Sequence, residues 1–248
     1  MKALVKTAKG EGHITVADLP KAQIAQDDWV LLHRIPEGMG YDIAALAEPM
    51  AIVVHQVTER CGIGCQDFVV ITGAGPIGIM AAFMAKACVA GKVILSGLGA
   101  CEQVRFPAAL ALGADMVVNV ETQDIHTVVM DMTNGNGADV VLETSGSPAA
   151  IGQAMDLLKK CGRLCAIGMP GNRDIPVPWQ KAVLKSLDII CCMSSSWSSW
   201  DRALALMQST DKDLGRLITH REKLDNWEWL FRELEAERGI KGLFLPQE

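Results

Sequence analysis

Apolar positions from residue 67 onward fall into short β-branched runs that alternate with longer stretches of helical spacing. DFVVITG (67–73) and KVILSG (92–97) are two such runs, and the apolar helix pattern PIGIMAAFMAKACVAG (76–91) lies between them. This alternation predicts βαβ units and a parallel sheet. The strands are nearly continuous in apolar residues, as a sheet covered on both faces requires. The predicted strands are 67–73, 92–97, 115–120, 138–146, 162–169 and 187–193, with helices at 76–91, 103–112, 122–132, 147–160 and 178–186.

Both ends of the chain depart from this alternation. Residues 1–33 contain the short strand patterns KALVKT, HITVAD and WVLLHR, and residues 37–60 are mostly helical in pattern. Near the C-terminus, WEWLFRELEAER predicts a helix that stops at Gly239, and a strand follows it. The expected division is a sheet domain at 46–215 and a small β-rich unit built from both chain ends, 1–45 and 216–248.

A glycine-rich turn joins the first predicted strand to the first predicted helix. Gly73, Gly75 and Gly78 fit the pattern G-x-G-x-x-G, and the strand before it and the helix after it are the context of a dinucleotide site. Gly73 permits the tight turn, Gly75 lets the backbone approach a pyrophosphate, and Gly78 lets the helix pack closely on the strand. Pro76 and Ile77 open the helix, whose free N–H groups and dipole attract phosphate. The pattern predicts an α/β Rossmann doubly wound sheet of six parallel strands in the order 3-2-1-4-5-6, with NAD or NADP bound over this turn.

The residue that distinguishes NAD from NADP is not evident. Many NAD-binding sheets place an Asp or Glu about 20 residues beyond the glycines, where it accepts the ribose 2′-OH. That position falls on Ser96 or Gly97, which are not acidic. Glu102 would favour a 2′-OH and Arg105 a 2′-phosphate, although both could equally be solvated charges at a helix start. Gly97 and Arg105 are candidate cofactor residues, and the choice between NAD and NADP stays open.

Composition and charge argue against several other classes of protein. The chain has 248 residues, of which 50% are hydrophobic, and a net charge of −6 without a cluster of Lys and Arg, so a nucleic-acid partner is not expected. Its eight cysteines lack Cys-x-x-Cys spacing, so we expect reduced thiols and a cytoplasmic protein rather than disulfides or a zinc finger. We also expect no signal sequence and no membrane-spanning segment.

A series of sequence blocks along nearly the whole chain occurs together in one known family. The blocks are MKALVKTAKGEGHITVADLP, EPMAIVVHQV, DFVVITGAGPIGIMAAFMAKA, LGADMVVNV, ADVVLETSGSP, GRLCAIGMPG and LITHR. In this order they resemble the zinc-dependent medium-chain dehydrogenases, in particular the branch of sorbitol and threonine dehydrogenases. The resemblance implies an oxidoreductase that uses NAD or NADP.

The resemblance also implies further neighbours of the cofactor. In the family, the loops after IGMPG and near CCMSSS approach the nicotinamide, which implies that Met169 and Ser194 lie at that end of the cofactor. Thr144, Ser145 and Gly146 end the fourth predicted strand, at the edge of a parallel sheet where ligands bind. We expect these three residues near the adenosine half or the nicotinamide ribose.

One block of the family is missing from this sequence. In the family, the opening strands lead to a Cys-Gly-x-Asp segment, a Gly-His-Glu segment and a lobe with four cysteines, which supply zinc ligands. Here WVLLHRIPEG follows those strands directly, and no cysteine occurs before Cys61. Glu48 matches a glutamate that can ligate catalytic zinc in the polyol dehydrogenases, and His55 lies about two helical turns further on. Two ligands fall short of the three that a catalytic zinc normally needs, so zinc is not expected.

These observations lead to an expected function and to two alternatives. We expect zinc-independent hydride transfer between NAD(P) and a small carbonyl or alcohol substrate, with catalytic residues that the sequence does not identify. The alternatives are a nucleotide-binding protein without turnover, such as a sensor or assembly subunit, and a site completed by a partner chain. The apolar edge strand at 187–193 contains no Pro or Lys, and the family's equivalent edges pair across a two-fold axis. A homodimer or higher homo-oligomer is therefore expected.

Overall fold

The computed structural model describes residues 2–8, 14–20, 33–171 and 174–245. Its strands are β1 (Lys2–Lys6), β2 (Ile14–Asp18), β3 (Phe68–Thr72), β4 (Lys92–Gly97), β5 (Met116–Asn119), β6 (Ala138–Glu143), β7 (Leu158–Ala166), β8 (Asp188–Cys191), β9 (Ile218–Lys223) and β10 (Lys241–Leu245). Its α-helices are α1 (Tyr41–Ala44), α2 (Ala47–Val53), α3 (Pro76–Ala87), α4 (Arg105–Leu112), α5 (Ile125–Met132), α6 (Pro148–Leu157), α7 (Trp179–Lys185), α8 (Trp197–Ser209) and α9 (Trp227–Glu235). A π-helical stretch, Val54–Cys61, continues α2.

A six-stranded sheet forms the centre of the fold, with its strands in the order β5-β4-β3-β6-β7-β8. Every neighbouring pair in this sheet is parallel. Counted along the chain from β3, this is the order 3-2-1-4-5-6, so the predicted Rossmann doubly wound sheet is confirmed. The carboxyl ends of the strands meet at one edge, and the strand order reverses between β3 and β6, where ligands bind in open sheets of this kind.

The strands of this sheet are buried on both faces, as their apolar sequences predicted. Side chains alternate between the two faces along a strand, so Val69 and Ile71 of β3 join one apolar cluster and Val70 joins the other. Helices α2, α3, α4 and α8 contribute to the first cluster, and α5, α6 and α7 contribute to the second. Full burial of one such side chain stabilises a fold by roughly 1.5–3 kcal/mol. The helices stabilise the sheet because they bury its apolar side chains on both faces.

Two separate two-stranded sheets contain the strands of the chain ends. β1 pairs with β2 in antiparallel orientation, and β9 pairs with β10 in parallel orientation. The β-rich character of both ends is confirmed, although these strands form two separate pairs. Residues 29–32 of the predicted WVLLHR strand lie outside the described residues. The division into 46–215 and a unit from 1–45 and 216–248 stays a prediction.

Helix α8 was not expected from the sequence. It begins within SSSWSSW, whose serines favour helix caps over helix interiors. The Ser199 N–H donates to the Ser196 hydroxyl oxygen at 3.1 Å, and the Ser196 N–H donates to the Ser199 hydroxyl oxygen at 3.0 Å. This capping box fixes the start of the helix, and the buried side chains of Ala203, Leu204 and Met207 hold it on the core.

Several predicted boundaries were wrong by a few residues. β7 begins at Leu158 rather than at residue 162, because the chain is already extended there and passes through an irregularity at Cys161, whose φ is 56°. α9 ends at Glu235, before the predicted stop at Gly239, because Glu237 takes the left-handed conformation with φ 59°. No helix in the described part of the chain is long and apolar enough to cross a membrane.

Candidate cofactor site

The glycine-rich turn lies between β3 and α3, at the carboxyl edge of the sheet. Gly73 follows β3 with φ 114°, a left-handed conformation that favours glycine, and Gly75 is the N-cap of α3. Pro76 occupies the first helical position, where its missing N–H has no consequence. The first N–H groups of a helix have no partner within the helix. Ile77 and Gly78 therefore present theirs at the positive end of the helix dipole, without a side-chain cap from Gly75.

The space around the three glycines differs. A Cβ atom at Gly73 would lie 2.8 Å from Thr144 Oγ1, and a Cβ atom at Gly78 would overlap the Gly73 carbonyl oxygen. A Cβ atom at Gly75 would meet no atom within 4 Å. Close packing of the turn therefore requires glycine at 73 and 78, whereas Gly75 leaves open space in front of the helix.

A cleft of about 580 Å³ lies against this turn. It is bounded by the glycine turn, by the carboxyl ends of β4 and β6, by the start of α6, and by Glu237 near the C-terminus. The volume lies within the usual range for small-molecule sites, roughly 300–1,000 Å³. The cofactor residues predicted from the sequence that line the cleft are Gly73, Gly75, Gly97, Arg105, Thr144 and Ser145.

A buried carboxylate that the sequence analysis missed supports the opposite wall of the cleft. Glu143 ends β6 and is 1% exposed. Its Oε1 accepts hydrogen bonds from the Ser145 N–H at 2.9 Å and from the Ser145 hydroxyl at 2.5 Å, and the Gly146 N–H reaches both carboxylate oxygens. Several donors are what a buried carboxylate requires. Its position at the end of the apolar run ADVVLE, directly before TSG, is the signal that could have identified it.

The candidate ribose-binding residues at and beyond the end of β4 differ in whether they reach the cleft. Ser96 and Gly97 line it, and Arg105 lines it from the first turn of α4 with 11% of its side chain exposed. Glu102 is engaged elsewhere, because Asn119 Nδ2 donates to its Oε1 at 2.6 Å. Of the two charges weighed from the sequence, Arg105 is therefore the one beside the cleft.

Known proteins match this chain along most of its length. Residues 76–209 match the family described as zinc-binding dehydrogenase. A sorbitol dehydrogenase from Halalkalibacterium halodurans is 33% identical over 238 residues, which are 96% of this chain and 68% of that protein. The chain belongs to the zinc-binding dehydrogenase family. An L-threonine 3-dehydrogenase from Anaeromyxobacter dehalogenans is 31% identical over 212 residues, 85% of this chain and 59% of that protein.

A solved structure shares the fold of this zinc-binding dehydrogenase family member. Alcohol dehydrogenase TADH from Thermus sp. ATN1 superposes with a TM-score of 0.80 at 24% sequence identity, over 87% of this chain and 61% of that chain. The chain thus spans about three fifths of that structure. It also spans 68% and 59% of the two dehydrogenases that it matches in sequence.

The described residues do not fit the catalytic zinc that the family name implies. Glu48 lies in the first turn of α2 with an exposed side chain, and His55 Nδ1 lies 2.7 Å from Glu59 Oε2. In the ranges that the structure describes, no group of three or more His, Cys, Asp or Glu side chains is placed to hold a metal ion. A catalytic zinc normally needs three protein ligands, so Glu48 is a remnant ligand position by resemblance alone.

His55 belongs instead to a cluster around Glu59 that ties the π-helical stretch to α8. The groups bonded to the Glu59 carboxylate are His55 Nδ1 at 2.7 Å, Ser196 Oγ at 2.6 Å, Ser198 Oγ at 2.8 Å and an Arg202 guanidinium nitrogen at 3.0 Å. Burial raises the pKa of Glu59, but the hydrogen bonds and the charge of Arg202 outweigh burial and lower the pKa to about 2. The carboxylate therefore stays ionised at neutral pH and holds α8 in place.

Met169 and Ser194 do not line the cleft. Met169 lies beyond β7 and is 73% exposed. Its backbone packs so closely on Gly146 that a Cβ atom at position 146 would overlap the Met169 carbonyl oxygen. Ser194 lies beyond β8, is exposed and has φ 66°. Both follow carboxyl ends of sheet strands, and their contact with a nicotinamide stays a prediction.

Proposed function

We propose that this chain is an NAD(P)-dependent oxidoreductase that transfers a hydride to or from a small carbonyl or alcohol substrate without zinc. The observation that carries the proposal is the N-terminus of α3, which opens at Gly75 into a cleft where the strand order reverses. Membership of a dehydrogenase family supports it. The names of the matched relatives include sorbitol and L-threonine, small hydroxylated molecules, which supports a substrate of that class.

The chain's own groups bind and orient the cofactor in this proposal. The N–H groups of Ile77 and Gly78 receive the pyrophosphate, which Gly75 allows to come close. Thr144 and Ser145 form the facing wall, and Glu143 fixes their loop through its hydrogen bonds. When bound, NAD(P) supplies the hydride chemistry.

The proposed zinc independence rests on the two candidate zinc ligands, Glu48 and His55. Glu48 is exposed, and the ring nitrogen Nδ1 of His55 is engaged by Glu59. We expect metal analysis of the protein, purified without a chelator, to find far less than one zinc per chain. A stoichiometric zinc would contradict this part of the proposal and would make Glu48 and His55 the first residues to substitute.

A coupled screen tests the enzyme activity. Absorbance of NADH and NADPH is followed with aldehydes, ketones, enones and polyols, using wild type and the Gly75→Val variant. We expect turnover in at least one substrate class with wild type and none with the variant. Nucleotide binding without turnover in any class would contradict the oxidoreductase and favour a nucleotide-binding protein without catalysis.

We also propose a cytoplasmic homodimer that pairs through β8. Among the described strands β8 pairs with β7 alone, so its other edge offers unpaired backbone groups. Val183, Leu184 and Met193 flank this strand and are 63%, 71% and 77% exposed, an apolar surface that a second copy would cover. All eight cysteines are unpaired, which is typical of a reducing compartment.

A further inference from the structure

Two charged side chains line the cleft beside the end of β4, and they lie far apart in the sequence. Arg105 begins α4, and Glu237 follows α9. An Arg105 guanidinium nitrogen lies 3.5 Å from Glu237 Oε2, and Arg105 Nε donates to the Gly239 carbonyl oxygen at 3.1 Å. The Arg105 side chain is 11% exposed, whereas that of Glu237 is 40% exposed. The C-terminal segment therefore holds the guanidinium and keeps a carboxylate accessible at the cleft.

A tight turn places Glu237 at the cleft. Glu237 has φ 59°, and its N–H donates to the Leu234 carbonyl oxygen at 3.1 Å. Arg238 follows in an ion pair with Glu233, at 2.7 Å from guanidinium to carboxylate. These contacts reverse the chain directly after α9 and direct consecutive side chains to different sides, so Glu237 meets Arg105 while Arg238 lies on the helix.

Other acids near the end of β4, Glu102 and Glu121, do not line this cleft. A side chain at Gly97 has no room, because its Cβ atom would lie 2.8 Å from Ala74 Cβ. Glu102 accepts from Asn119, and Glu121 Oε2 accepts from the Gly99 N–H at 2.6 Å. Among the described residues that line the cleft, Glu237 supplies the carboxylate.

We propose that Glu237 acts as the specificity-determining residue for the adenosine ribose and selects NAD over NADP. This inference rests on the proposed function, since it concerns the cofactor bound at the same turn. In many NAD-binding sheets, an acidic residue at the end of the second strand accepts the ribose 2′-OH. In this chain we assign that role to Glu237 in the C-terminal segment.

The selectivity follows from charge. A ribose 2′-OH can donate a hydrogen bond to the Glu237 carboxylate, whereas a 2′-phosphate carries negative charge and is repelled by it. Arg105 alone would attract a 2′-phosphate, but its guanidinium is already engaged by Glu237 and by the Gly239 carbonyl oxygen. A 2′-phosphate that approaches Arg105 also comes close to the Glu237 carboxylate, which repels it.

Binding measurements on Glu237→Gln test the inference. Dissociation constants are measured by calorimetry for NAD, NADP, 5′-AMP and 2′,5′-ADP, the last two differing by the 2′-phosphate alone. We expect wild type to prefer NAD and 5′-AMP. In the variant, the affinities for NADP and 2′,5′-ADP should rise about tenfold, as expected for removal of one nearby like charge. NAD affinity should fall by no more than about tenfold, because the amide oxygen of Gln still accepts the 2′-OH bond but without a charge. The gain should shrink at high salt, because surface charges are screened.

Two further variants separate specificity from structure. Glu235→Gln removes the same charge from an exposed position outside the cleft and should leave the preference unchanged. Adding Arg105→Gln to Glu237→Gln should reduce the gain for 2′,5′-ADP, because the released guanidinium contributes to it beside the loss of like-charge repulsion. Thermal melts of each variant check the fold.

The possible results separate this inference from the proposed function. If wild type binds none of the four nucleotides, the proposed function fails and the inference fails with it. If wild type binds them but prefers NADP, Glu237 does not exclude the phosphate, and the inference alone is wrong. An unchanged NAD-to-NADP ratio in folded Glu237→Gln would also overturn it.

Discussion

Gly75→Val separates cofactor binding from folding in this chain. Gly75 has φ −75° and ψ 177°, an extended conformation that valine adopts readily, and a Cβ atom there meets nothing within 4 Å. We therefore expect the free energy of unfolding to change by less than about 1 kcal/mol. The new side chain instead fills the open space before α3 where a pyrophosphate would lie.

The expected loss of affinity follows from the hydrogen bonds that the valine prevents. A phosphate at this helix start would accept from the N–H groups of Ile77 and Gly78. Hydrogen bonds to charged groups are worth roughly 1.5–3 kcal/mol each, so the loss of two costs at least about 3 kcal/mol. Since every 1.4 kcal/mol is tenfold, NAD and NADP should bind at least about 100-fold more weakly.

Calorimetric titration with NAD and NADP, beside a urea unfolding curve, measures both effects. Gly152→Val is the matched control, because Gly152 lies in α6 with open space around it and outside the cleft lining. Gly78→Ala is the contrasting variant, which should destabilise the fold because its Cβ atom overlaps the Gly73 carbonyl oxygen. A folded Gly75→Val protein that binds both nucleotides as wild type does would refute the assignment of the turn.

Three further variants test the buried carboxylates and the dimer contact. Glu143→Gln should lower the free energy of unfolding by about 1–3 kcal/mol, because buried N–H donors lose their carboxylate; unchanged urea unfolding would contradict this. Glu59→Gln should lower the free energy of unfolding by about 1–3 kcal/mol at pH 7. This difference should vanish as pH falls, because a carboxylate with a depressed pKa stabilises the fold fully above its ordinary pKa of 4.5. That stabilisation is lost as pH falls through the folded-state pKa of about 2. A difference in stability that does not vary with pH would exclude that role. Leu184→Glu should convert a dimer into a monomer of 26.7 kDa by light scattering, whereas a wild type that is monomeric at every concentration would rule out the dimer.

The parallel sheet and the turn could be predicted because local sequence determines them. Val69, Val70 and Ile71 had to be buried on both faces, and this continuous run is characteristic of a covered parallel strand. The glycine pattern was informative because its neighbours formed a strand and a helix. Close packing explains why glycine is needed at 73 and 78.

Other parts of the site depend on contacts between residues far apart in sequence, which no local pattern contains. Glu143 had the appearance of a strand-end acid, and its role depends on the loop that folds back over it. Glu237 reaches the cleft only because the C-terminal segment packs against Arg105, 132 positions away along the chain. Helix α8 was missed because serine-rich sequence has weak helix propensity, and its capping box and its burial on the core outweigh that propensity.

A crystal structure of the chain grown with NAD tests directly whether the glycine turn binds the cofactor. Pyrophosphate oxygens should lie within hydrogen-bond distance of the Ile77 and Gly78 N–H groups, and the adenosine ribose should lie beside Glu237. Well-ordered NAD bound elsewhere on the protein, with the space before Gly75 empty, would contradict this placement.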